Sequence, residues 1–153
     1  MTGKKLAQLD VGALFHGVLF AHQKVLKEVL GQTPSFVIAT HTIPIFEKVN
    51  EKAALALANT EDSDEALNKF AKLLMNSELV KKVSLEKHSH GYSFNANGCA
   101  FASHIHDMLE PKDVTCPWGI IAMSIAQKTS NRKVKMSLSE FHPEGANTPI
   151  MFL

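Results

Sequence analysis

Two cysteines, one tryptophan, one tyrosine and a formal net charge of +1 in 153 residues leave several function classes with little to stand on. Near-neutral charge gives no electrostatic basis for binding nucleic acid or an anionic membrane surface. No stretch approaches the roughly 20 apolar residues of a membrane span. The segment after Met1-Thr2-Gly3-Lys4-Lys5 is broken by Gln8, Asp10, His16, His22 and Gln23, so a signal-peptide apolar region is not expected either. Gly12, Gly17 and Gly31 form neither a dinucleotide fingerprint nor a phosphate-cradling loop, and no serine nucleophile elbow occurs. A cytoplasmic location follows as the expectation, and with it free rather than disulfide-bonded cysteines.

Hydrophobic residues at 45% and charged residues at 20% are ordinary for a globular protein. The length fits one domain spanning residues 1–153, with a helical part to about residue 76 and a sheet-containing part after it. Over 10–30, Leu14, Phe15, Val18, Leu19, Val25, Leu26, Val29 and Leu30 recur at helical spacing, with Gln23, Lys24, Lys27 and Glu28 on the other side. This predicts an amphipathic helix capped by Asp10 and closed at Gly31. The 35–49 segment mixes strand-favouring residues with Pro44 and is open between helix and strand. Helices are predicted over 51–58 and 66–75, separated by an acidic turn and cap at Thr60 to Asp64, the second burying Leu67, Phe70, Ala71 and Leu74.

After Ser77 the period becomes two. Val83 and Leu85, then Tyr92, Phe94 and Ala96, alternate with polar residues across a His88-Ser89-His90-Gly91 turn. Helices follow over 100–109 and 117–128, then strands through Val134, Met136, Leu138 and through Thr148, Ile150, Phe152, joined by Pro143-Glu144-Gly145. The expected fold is α+β: N-terminal helices, then β-β-α-α-β-β with helices covering the apolar sheet face.

Both cysteines and two of the eight histidines fall between Gly98 and Cys116. Cys99 and Cys116 each precede a predicted helix, where the positive helix end favours a thiolate. At about 100° per residue Cys99 and His106 share a helix face and His104 is turned away. Cys99, His106 and Cys116 therefore form a candidate metal site, for zinc before iron, whose fourth position would go to water, a substrate or His142. The same cysteines are also readable as plain core or as redox or nucleophilic groups. His88 and His90 read as solvated turn residues, and His16, His22 and His41 as hydrogen-bonded core or boundary histidines. The phenylalanines, with Met75, Met108, Met123 and Met136, supply a core able to adapt to an irregular apolar ligand.

Gly98-Cys99-Ala100-Phe101-Ala102, His106, Asp113-Val114-Thr115-Cys116-Pro117, Val134 to Ser139 and Phe141-His142-Pro143-Glu144-Gly145 together resemble the small-molecule-binding domain family named after bacteriochlorophyll 4-vinyl reductase, its stand-alone archaeal members in particular. The resemblance covers about residues 80–153. It implies a fold shared with haem-NO-binding domains and vesicle-tethering subunits, a small apolar or hydrocarbon ligand, and Cys99 and Cys116 as the family's central cysteines. It also favours helix for 35–49. A homodimer is the expected assembly. The chain departs from the family in having no cysteine around Gly145, which excludes a four-thiolate site. The expected function is binding or sensing of a small apolar molecule, with no nucleic-acid partner. The rivals are a hydrolase- or reductase-like enzyme using an open metal position and a structural or protein-interaction domain.

Overall fold

The computed structural model describes residues 3–30, 41, 44–45, 48 and 60–153 apart from 111 and 136; for 3–11, 103 and 104 it describes the backbone alone. The expected cap at Gly31 and the expected helix over 51–58 lie outside the described residues. Within 35–49 the described His41, Pro44, Ile45 and Lys48 are helical and exposed.

Four α-helices are described: α1 (Gly3–Leu30), α2 (Ser63–Asn76), α3 (Ala102–Ile105) and α4 (Pro117–Ser130), with a 3-10 turn at His106–Met108 directly after α3. The strands are β1 (Val80–His88), β2 (Gly91–Cys99), β3 (Val134–Lys135), β4 (Glu140–His142) and β5 (Gly145–Phe152). All pairings are antiparallel, in the order β1-β2-β5-β3, with β4 also on β5. The α+β class is as expected. The return strand through Val134 is only two residues long, and a third short strand, β4, pairs with β5 across the Pro143-Glu144 turn.

The β1–β2 hairpin turns at Ser89-His90, and Gly91 receives the chain at φ 153°, where an added Cβ would lie 1.8 Å from the Ile150 carbonyl oxygen. Only glycine fits there. The register sets Tyr92, Phe94 and Ala96 opposite Ile150, Thr148 and Ala146, and all six are buried on one face. Phe70 and Leu67 of α2 and Ile120, Met123 and Ile125 of α4 join that core. The acidic turn caps α2 as expected: Asp62 Oδ1 accepts the Asp64 and Glu65 amides at 2.8 and 3.3 Å.

Helix α1 departs from its expected orientation. It begins at Gly3, so Asp10 lies within it rather than at its cap. Its apolar stripe is exposed, Leu14 by 70% and Val29 by 74%, with Phe15, Val18, Leu19, Val25 and Leu30 also open. The buried stripe is His16, Phe20 and Gln23, spaced four and three apart. The reason is a polar clasp. Gln23 Nε2 donates to the Thr115 carbonyl and the Thr115 amide donates to Gln23 Oε1, both at 2.8 Å and both buried. Lys24 and Lys27 flank it on Asp113, at 2.7 and 3.4 Å.

Candidate functional site: a histidine pair in an aromatic box

Cys99 does not open a helix. It is the last residue of β2, paired with Val80, and α3 begins only at Ala102. Its helical phase with His106 is therefore not realised. The expected helix over 100–109 is reduced to four residues and a 3-10 turn, with Leu109 extended. Cys116 does take its expected place as the N-cap of α4, with Pro117 in the first turn. Its thiol nevertheless stays protonated. Burial pushes its pKa up to about 12, over the opposing pull of the Gly119 and Trp118 amides, and nearby Cys99 raises it further.

A network of buried polar groups fixes Cys116. Its amide donates to Ser139 Oγ at 2.8 Å, and Ser139 Oγ lies 2.6 Å from Thr148 Oγ1. Trp118 Nε1 donates to Cys99 Sγ at 3.5 Å, placing the indole beside the other sulfur. Among the described residues no group of three or more Cys, His, Asp or Glu side chains is arranged to hold a metal ion. His142 is exposed and meets His106 through its carbonyl. The His104 side chain lies outside the described residues.

Two histidines meet instead. His106, at the start of the 3-10 turn, is 5% exposed and His16 of α1 is 4% exposed. Their ring centroids are 6.3 Å apart and their planes 25° from parallel. Aromatic rings surround them. Phe20 stands edge-on to His16 at 4.8 Å, Phe141 edge-on to His106 at 5.0 Å, and Phe101 and Trp118 lie 5.5 and 6.1 Å from His16. Phe20 and Phe141 close the box with a T-shaped contact at 5.4 Å. Its walls come from α1, α3 with its flanks, the start of α4 and β4, so the tertiary fold assembles it.

Both imidazoles are held neutral. Burial, helped by the neighbouring His106, pulls the His16 pKa down from 6.5 to about 4. Burial also lowers that of His106, against the opposing pull of backbone groups at His142 and Gly145. His106 Nδ1 lies 3.1 Å from the His142 carbonyl oxygen, which can only accept. The ring proton is therefore on Nδ1, and Nε2 presents a lone pair. Nε2 of both His16 and His106 is buried without a protein partner. Buried polar atoms of this kind are rare and call for a reason.

Sequence reasoning placed His106 in the site and missed His16, Gln23, Ser139 and Thr148. A histidine and a glutamine seven apart, and so on one face of the helix, were the available signal. An open cleft of about 640 Å³ lies elsewhere, lined by Asp62, Asp64, Lys87, Arg132 and Phe152 among others. Of its acids, Asp62 caps α2 and Asp64 pairs with Lys87. The histidine box, with unengaged polar atoms, is the better candidate. No family model, no curated protein and no solved structure matches this chain.

Proposed function

We propose that the chain binds or senses a small, uncharged, apolar molecule in the aromatic box around His16 and His106. The observation that carries this is the pair of buried, neutral imidazoles with unpartnered Nε2 atoms inside a wall of Phe20, Phe101, Phe141 and Trp118. Apolar burial would drive binding and a few polar atoms would orient the ligand, as small-molecule sites generally work. The order of helices, hairpin, short helix, α4 and return strands supports the layout expected of the vinyl-4-reductase-type domain and its haem-NO-binding and vesicle-tethering relatives. The exposed apolar stripe of α1 is the surface on which the expected homodimer would form.

Metal binding at Cys99, His106 and Cys116 is the second reading. It is favoured by one feature, the His106 Nδ1 bond to a backbone carbonyl, which orients Nε2 as metal-bound histidines are oriented. It requires the thiols to lose their protons and the three side chains to converge. Zinc analysis of the purified protein, with and without Cys116→Ser, tests it.

Trp118 is the sole tryptophan and stands in the box wall, so its emission reports occupancy directly. Titration with toluene should shift or quench that emission saturably, and filling the box by Gly12→Phe should weaken the response. An added Cβ at Gly12 already meets the Phe101 ring at 2.4 Å, so this substitution crowds that wall. Emission indifferent to every apolar probe, in folded protein, rejects the reading.

A further inference from the structure

We infer that the ligand of the box carries a hydroxyl group, whose single oxygen bridges His16 and His106. The inference rests on the small-molecule reading above and adds the chemistry of the ligand's polar end.

The proton inventory comes first. His106 spends its only N–H on the His142 carbonyl, so its Nε2 accepts and does not donate. A ligand must therefore bring a donor to that atom. A carboxylate, which only accepts, would set lone pair against lone pair. A pure hydrocarbon would leave both Nε2 atoms buried and unsatisfied. An ammonium group brings donors but also a charge, into a site whose burial already keeps two imidazoles from accepting a proton. A hydroxyl is neutral, donates once and accepts twice. With His16 protonated at Nε2, a chain from His16 N–H to the hydroxyl oxygen, and from the hydroxyl proton to His106 Nε2, satisfies both orphaned atoms at once.

The spacing agrees. An imidazole Nε2 lies about 1.1 Å from its ring centroid and a hydrogen bond adds about 2.8 Å, so each centroid sits about 3.9 Å from a bound oxygen. Two such arms meeting at a tetrahedral angle span about 6.4 Å. The observed centroid separation is 6.3 Å. The two rings are stacked, with planes 25° from parallel, and both carry a buried, unpartnered Nε2. The aromatic rings then hold the apolar body of an alcohol or phenol.

The test compares three probes of one shape, phenol, toluene and benzoate, by Trp118 emission. Phenol should bind at least about tenfold more tightly than toluene, the worth of one or two well-made buried hydrogen bonds, and benzoate more weakly than either. The phenol advantage should shrink to about twofold or less in His106→Phe and in His16→Phe. In the wild type, the Nε2 nitrogen resonance of His106 should move with phenol and stay put with toluene. Equal affinities for phenol and toluene, or an unmoved resonance, overturn the hydroxyl inference and leave the small-molecule reading standing. No response to any of the three overturns both. The wild-type comparison needs no variant to fold.

Discussion

Acidification should unlock this protein through His16. The folded imidazole resists protonation down to about pH 4, whereas in the unfolded chain it titrates at its ordinary 6.5. Above 6.5 both states are neutral there and the full stability is present. As pH falls from 6.5 towards 4 the unfolded state gains a proton that the folded state refuses, so stability drops by up to about 1.4 kcal/mol per pH unit. Integrated over the interval, the loss is about 3 kcal/mol, and it levels off once the folded group also titrates. His106, lowered for the same reason, acts in the same direction. The assay is urea denaturation at closely spaced values from about pH 7 to about pH 4.5, a window above most carboxylate titration. His16→Phe is the comparison, since it keeps a ring beside Phe20, Phe101 and Trp118 and removes the proton site. The wild type should lose stability steeply and the variant distinctly less. Superimposable pH profiles for the two proteins would refute a buried neutral His16.

Three further outcomes are expected. Gln23→Leu strands the Thr115 amide and carbonyl and should cost about 2–4 kcal/mol in denaturant unfolding, while Lys27→Ala, at an exposed pair, should cost less than about 1 kcal/mol; equal effects would deny the clasp its role. Gly119→Ala places a Cβ 2.3 Å from Thr148 Oγ1, and since Thr148 is buried and bonded to Ser139, a loss of about 1–3 kcal/mol is expected, partly relieved by Thr148→Ala in a double-mutant cycle. Cys116, with its thiol pKa at about 12, should resist maleimide labelling in native protein at neutral pH and react only as fast as the chain unfolds; rapid native labelling at that residue, located by mass spectrometry, would contradict its burial.

The parts of the fold readable from sequence are those whose determinants lie close together along the chain. The β1–β2 hairpin declares itself through Phe94 and Ala96 alternating with Asn95 and Asn97 beside a two-residue turn. Helix α2 does so through Leu67, Phe70, Ala71 and Leu74 behind the Asp62 cap. Cys116 at the head of α4 follows from Pro117 alone. Where the reading failed, a contact made only in the folded chain decided the matter. Helical periodicity finds α1 but selects the wrong side, because the buried polar residue Gln23 is satisfied only by Thr115. The phase argument for Cys99 and His106 failed because strand pairing with Val80 keeps Cys99 in β2 and out of any helix. His16 reads as an ordinary core or boundary histidine because nothing near it in the sequence marks the His106 ring, 90 residues on, that it will meet.

The clasp on Gln23 also sets a timetable for synthesis. Helix α1 is made before the other described elements, yet the backbone groups that clasp it belong to a residue 92 positions later. A contact of that separation carries a large loop-closure cost and forms only after much of the sheet gives it a place to form. During translation α1 therefore waits at least through α2, the β1–β2 hairpin and α3 before its buried stripe can dock. A segment made early is thus among the last to settle, and until Thr115 is made the His16, Phe20 and Gln23 stripe lacks that partner, a stretch of synthesis in which chaperone protection would matter.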